Sequence, residues 1–171
     1  DSFVDMSKGS MSVGGYFTEM LDPTMNWDDV ASLVEFWDGQ FCLKGVMSVE
    51  DAKRAVEIGC TGIVVSNHGG RQLDGGRSSF DQLEEIVGAV GDQIDVILDS
   101  GIQRGSHVLK ALSLGAKAVG GGRFYLYALA AAGGQGVERA LQIMHEEIER
   151  DMRLMGVSSI QELSRDNLRF R

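Results

Sequence analysis

Apolar positions along the chain follow two spacings. Short continuous runs, FCLKG, GIVVSN, DVILDSG and AKAVGGG, begin near Phe41, Gly62, Asp95 and Ala118. Their length and Val/Ile/Leu content are those of buried strands. Between them apolar residues recur at three- and four-residue intervals. Val49, Ala52, Val56 and Ile58 do so in VEDAKRAVEIG, and Phe80, Leu83, Ile86 and Val87 in SFDQLEEIVGAVG. That spacing, with SHVLKALSLG as a third case, predicts helices with one buried side. Upstream, WDDVASLVEFW predicts a helix capped by Asn26 or Asp28 and stopped by Gly39, and Ser48 and Gly59 bound the next one. Residues 125–155 predict a long helical tract that Gly133, Gly134 and Gly136 divide in two. SSIQELSRDNLRFR then predicts a short capped helix and a tail.

Strand and helix alternate four times, which predicts an α/β fold with a parallel sheet covered by helices. A complete (β/α)8 barrel takes about 250 residues, and this chain has 171. The pattern therefore reads as half a barrel or a small open sheet. We expect one domain over 1–171, with 1–25 an irregular loop segment and 26–171 the βα units and carboxyl-terminal helices.

Composition narrows the function. A net charge of −9 and a pI near 4.7 speak against a grip on nucleic acid or anionic lipid. Cys42 and Cys60 lie in or beside apolar runs without metal-ligand spacing, so both are expected as buried, reduced thiols and no metal site is expected. No apolar run approaches the roughly 20 residues that span a bilayer. The amino end is polar and acidic, unlike a signal peptide, and it begins with Asp1, so the chain is expected to be part of a longer one.

Ligands in parallel α/β folds bind at the carboxyl ends of the strands. Those ends carry Lys44, then Ser66-Asn67-His68, then Asp99-Ser100-Gly101, then Gly121-Gly122-Arg123. Glycines at strand-to-helix turns let backbone N–H groups approach a phosphate. Arg104 and Arg123 offer it charge-assisted hydrogen bonds. Asp99 suits a polyol, and Lys44 suits negative charge developing on a ring. His68 titrates near working pH and can take a proton. Arg71 presents a planar fork to a carboxylate. Together they fit a phosphorylated cofactor beside a small organic acid.

LKGVMSVEDAKRAVEIGCTGIVVSNHGGRQLDGG, DSGIQRG and GRFYLYALAAAGGQGV resemble the FMN-dependent L-2-hydroxy-acid oxidase and dehydrogenase family, which includes glycolate oxidase, L-lactate (cytochrome) dehydrogenase and L-mandelate dehydrogenase. The resemblance runs from about Asp22 onward and implies the carboxyl-terminal half of a (β/α)8 TIM barrel. It implies oxidation of a 2-hydroxy acid to a 2-keto acid with FMN as cofactor. His68 then matches the active-site base, Arg71 the residue that binds the substrate carboxylate, and Lys44 the lysine beside flavin N1 and O2. Ser66 matches a flavin contact. Asp99, Ser100, Gly101 and Ile102 match the loop around the ribityl chain and phosphate, with Gln103 next to them. Gly122 and Arg123 match the second phosphate-binding turn.

Two departures stand out. Gln103 occupies the place of the family's phosphate-binding arginine, with Arg104 beside it. The family's first four barrel units are absent, and with them its substrate-binding tyrosines and the aspartate that orients the histidine. The resemblance therefore implies an oligomer, or association with a missing amino-terminal half. The expected location is cytoplasmic; a peripheral place on the inner membrane face is left open by the resemblance and not indicated by the residues. A non-catalytic half-barrel that binds FMN or phosphate, or merely pairs with another chain, is the alternative function. Another FMN-binding barrel, such as a type 2 isoprenoid isomerase, fits the phosphate turns, but the SNHGGRQLD run speaks against it.

The remaining features have plainer expectations. His107 and His145 fall in helices and are expected as surface or packing residues. HEEIERD reads as a solvated helix face. Tyr125 and Tyr127 are expected to pack. Gly133 to Gly136 does not complete a dinucleotide fingerprint, because Arg139 stands where its third glycine would be.

Overall fold

The computed structural model describes Gly15 and residues 19–169. Most of the expected irregular 1–25 segment lies outside the described residues. The chain then forms α1 (Trp27–Trp37), β1 (Cys42–Val46), α2 (Val49–Glu57), β2 (Gly62–Val65), α3 (Ser79–Val90), β3 (Asp95–Asp99), α4 (Gly105–Ser113), β4 (Ala118–Gly120) and α5 (Gly122–Met155). A 3-10 turn, His68–Gly70, follows β2. The four strands begin at or within one residue of the expected positions.

Local signals explain most boundaries. The Asn26 side chain accepts the Asp28 N–H while the Asp29 side chain accepts the Asn26 N–H, a reciprocal cap that starts α1. Ser48 and Ser78 cap α2 and α3 from one side only, their hydroxyls accepting the Asp51 and Asp81 N–H. At the end of α1 it is Asp38, not Gly39, that adopts the left-handed conformation, with φ 48°. The long tract α5 is broken at Ala132 and Gly133, where the dihedrals leave the helical region. The expected final helix is instead two 3-10 turns, Ile160–Glu162 and Arg165–Asn167.

The strands pair in parallel in the order β1-β2-β3-β4. Consecutive order with right-handed crossovers puts the connecting helices on one face of the sheet. Leu43, Ile63 and Val96 stand in one register row on that face. Ile63, Val65, Val96 and Leu98 are buried there against α3 residues Leu83, Ile86 and Val90. Strand residues alternate in direction, so the row Lys44–Val64–Ile97–Ala118 lies on the opposite face. This is the arrangement of half a (β/α)8 barrel, the second row belonging to the barrel interior.

Cys42 corrects an expectation. It is exposed, whereas Cys60 is buried. Cys42 lies on an outer strand with its side chain on the uncovered face, so an apolar run there does not mean burial on both sides. Burial still raises the thiol pKa of both cysteines, with the nearby Asp95 carboxylate adding to the effect at Cys42.

Candidate active site

The carboxyl ends of β1, β2 and β3 meet through the fully buried Ser66 hydroxyl. Lys44 Nζ lies 3.0 Å from Ser66 Oγ and 2.9 Å from Asp99 Oδ2. Ser66 Oγ donates to Asp99 Oδ2 at 2.9 Å and accepts the His68 N–H at 3.2 Å. A serine has one proton to give and two lone pairs to receive with, so the hydroxyl is fully used. Burial works against the charge on Asp99. Hydrogen bonds from Lys44, Ser66 and the Ser100 N–H, with the Lys44 charge, outweigh that cost and hold its carboxyl below the usual range.

The turn after β2 is held at four points. The Asn67 N–H donates to Ser79 Oγ at 3.0 Å, and Asn67 Oδ1 accepts the Gly70 N–H at 3.2 Å. Gly69 donates to Ser100 Oγ at 2.9 Å, and its carbonyl accepts from Arg123 Nη2 at 2.6 Å. His68 itself has φ 56° and Ser100 has φ 81°, left-handed backbone that costs a non-glycine residue free energy. Two of the three such residues among the described ones therefore stand in this cluster. The site is built under strain that its hydrogen bonds over-determine.

A cavity of about 800 Å3 opens over this cluster, within the usual size for cofactor and ligand clefts, about 300–1,000 Å3. Lys44, His68, Arg71, Asp99, Gln103 and Arg123 line it, and the glycine turns at Gly101 and Gly122 form part of its wall. Among the described residues, a Cβ added at Gly101 or Gly122 would meet no atom within 4 Å, so at both turns the backbone faces open space. Arg71 is exposed and makes no hydrogen bond or ion pair to a described residue, leaving its fork available to a ligand. Ile102 is buried in the core and also lines the cavity, anchoring the β3 turn beneath it.

Several expectations need correction. Arg104 is directed at Glu147 instead of at the glycine turns: its Nε donates to Glu147 Oε1 at 2.7 Å, and its Nη2 lies 2.5 Å from the same oxygen. Glu147 Oε2 also accepts the Gly105 N–H at 2.8 Å. HEEIERD is therefore not wholly a solvated face, since Glu147 is 7% exposed and closes the α4 amino end onto α5. Hydrogen bonds from Arg104 and the Gly105 N–H hold its carboxyl below the usual range. Tyr125 and Tyr127 do not pack; both are exposed, and Tyr125 lines the large cavity. His107 is half-buried, and its Nδ1 sits 3.1 Å from the Gly101 carbonyl.

Gly45 belongs to the candidate site beside His68. It has φ +98°, and a Cβ there would lie 2.9 Å from His68 Nε2. The strand register shifts between Lys44 and Val46, so a bulge turns β1 aside for the His68 ring. A glycine inside an apolar strand run was the available signal.

The comparisons agree with this geometry. The family model for FMN-dependent dehydrogenases matches residues 3–170. A pre-mycofactocin synthase of Mycobacterium tuberculosis is 50% identical over 145 residues, covering 85% of this chain and 37% of that protein. An L-lactate dehydrogenase of Acinetobacter baumannii is 47% identical over 154 residues, covering 90% and 40%. A crystal structure of mandelate oxidase with benzoyl-formic acid superposes with a TM-score of 0.79 at 47% identity, covering 82% of this chain and 42% of that one. The chain thus spans about two fifths of the length of these relatives. On the family match over nearly its whole length, this chain belongs to the FMN-dependent dehydrogenases.

Proposed function

We propose that this chain carries the cofactor- and substrate-binding turns of an FMN-dependent L-2-hydroxy-acid oxidoreductase. The observation that carries the reading is the convergence of Lys44, His68, Arg71 and Arg123 on one cavity floored by Asp99 and the glycine turns. The residues fit FMN: open backbone at Gly101 and Gly122 suits a phosphate, and Lys44 suits the electron-rich edge of a ring. When bound, FMN supplies the two-electron acceptor for oxidation of the hydroxy acid.

The chain's own residues divide the work. Arg71 holds the substrate carboxylate by paired, charge-assisted hydrogen bonds. His68 takes one of the two protons that the 2-hydroxy acid gives up, together with two electrons, in becoming a 2-keto acid. Ser66 supports this by accepting the His68 N–H, which fixes where the ring leaves the backbone. Asp99 and Ser66 hold the Lys44 ammonium at the cavity wall, so its charge is in place before any ligand arrives. Arg123 and the turns at 101 and 122 supply the phosphate contacts.

The test is a visible spectrum of the purified chain with FMN, followed by anaerobic addition of L-lactate, L-mandelate or glycolate. A yellow protein bleached by one of them supports the reading. A protein that stays colourless with added FMN overturns it. Relatives of similar identity carry different activities in their names, so identity does not choose the substrate.

One observation favours a second reading, a half-barrel that binds FMN without turnover. Among the described residues no carboxylate hydrogen-bonds the His68 side chain, although a positioned base needs such an orienter. Yellow colour without bleaching by any hydroxy acid selects this reading. Both readings include association, because β1 and β4 are the outer strands of an open sheet. Monomeric light scattering at all concentrations counts against it.

A further inference from the structure

Positive charge is scarce where the β3 turn would meet a phosphate. Gln103 stands where the resembled family has an arginine, and Arg104 is bound to Glu147. The His107 imidazole enters this turn from the first part of α4. Its Nδ1 lies 3.1 Å from the Gly101 carbonyl and 3.3 Å from the Gln103 N–H. One nitrogen cannot serve both groups in the same state. A bare Nδ1 accepts the Gln103 N–H, and a protonated Nδ1 donates to the Gly101 oxygen. Nε2 has no hydrogen-bond partner among the described residues.

The surroundings point the same way. His107, Lys110 and Arg123 line a second cavity, about 440 Å3, that shares Ser100 and Gly101 with the large one. Among the described residues no Asp or Glu lines it, in a chain of net charge −9. Among the described residues, the charged groups that the elements meeting this turn bring to it are Lys110 and the Glu147-bound Arg104 on α4 and its cap, Arg123, Glu147 and the Arg150-paired Asp151 on α5, and Asp99, paired with Lys44, on β3. None of the carboxylates is left without a cation.

We propose that His107 is the phosphate-positioning residue of this chain, replacing the arginine that Gln103 displaces. Protonation moves its Nδ1 from acceptor to donor. The ring then binds the Gly101 carbonyl, releases the Gln103 N–H to an anion, and adds a positive charge beside it. A phosphate monoester and a protonated His107 therefore stabilise each other. This rests on the FMN reading above.

Riboflavin lacks only the phosphate, so it separates the two claims. FMN and riboflavin are titrated by flavin fluorescence into the whole chain at pH 5.5 and pH 8, alongside His107→Asn, His107→Lys and Gln103→Arg/His107→Asn. The phosphate's own ionisation is common to all chains and cancels between them. At pH 5.5, His107→Asn should weaken FMN about tenfold and leave riboflavin unchanged. His107→Lys should bind FMN well at both pH values, and Gln103→Arg should restore it to the His107→Asn chain. A readout needing no variant is the imidazole resonance of His107, whose titration should move to higher pH when inorganic phosphate is added. Equal FMN binding by the parent and His107→Asn chains, or an imidazole titration indifferent to phosphate, overturns the role of His107 while leaving the FMN reading intact. No saturable FMN binding by the parent chain overturns both.

Discussion

Ile63, Val65, Val96 and Leu98 are each 1% exposed or less, while Lys44, one register row away on the same sheet, has half of its side chain in solvent. The covered face is apolar throughout and packs on α3. The uncovered face carries Lys44 and Asp99 and continues into the turns of Ser66, His68 and Ser100. Alternation along a strand lets one short segment do both jobs, since neighbouring residues answer to different constraints. Stability and chemistry are therefore separable by single substitutions, one face at a time.

The sharpest break in that comparison pairs one change from each face. His68→Ala should slow bleaching by a hydroxy acid about 1,000-fold, in the usual range for losing a general base. Its melting temperature and FMN affinity should match the parent chain. Leu98→Ala should do the reverse, costing about 3 kcal/mol for a buried leucine with the cavity it leaves. Its remaining folded fraction should still bind FMN. Thermal melts run beside the anaerobic spectra decide both, and a His68→Ala chain that melts early would mean the two faces are not independent.

Much of this arrangement is legible in the residue pattern. Strand starts at Gly62, Asp95 and Ala118 and the helix stripes between them follow from hydrophobic spacing, which is a local property. The site residues follow from topology, because parallel strands end on one side and His68, Asp99 and Arg123 stand at or beyond those ends. What stayed hidden depends on partners distant in sequence. Glu147 looks like one charge in an acidic run, and only the fold brings Gly105 and Arg104 to it. Gly45 looks like a weak point in a strand until the His68 ring is placed beside it. Cys42 looks buried because a run of apolar letters cannot say that its strand is outermost.

Glu147 marks where the comparison is joined to the rest of the molecule. It ties the part of α5 beyond the break at Ala132 and Gly133 to the amino end of α4 beside the β3 turn. Glu147→Gln keeps the shape but loses the charge that Arg104 faces and weakens the bond to the Gly105 N–H. A loss of about 2 kcal/mol is expected for a charge-assisted bond at a nearly buried group, read as a lower urea midpoint at constant slope. FMN binding should weaken along with it, since the β3 turn leads directly into the α4 amino end that this contact holds. A variant as stable as the parent would show that α5 is held by apolar packing alone.

The smallest effect tests whether the open face contributes to stability at all. Asp99 has its carboxyl pKa depressed in the folded chain, so folding favours its charged form. The sign follows from linkage: that contribution is complete above the unfolded value, about 3.9, and is lost as the pH falls through the lower folded value. Asp99→Asn should therefore be less stable than the parent at pH 7, by about 1 kcal/mol for hydrogen bonds shared with Lys44 and Ser66. The gap should hold down to about pH 4 and close below it as the parent carboxylate takes up its proton. Urea melts of the two chains at a series of pH values measure the gap directly. Two chains equally stable at every pH would mean that Lys44 and Ser66 hold Asp99 without any gain in stability, and that the covered face carries the whole stability of the fold.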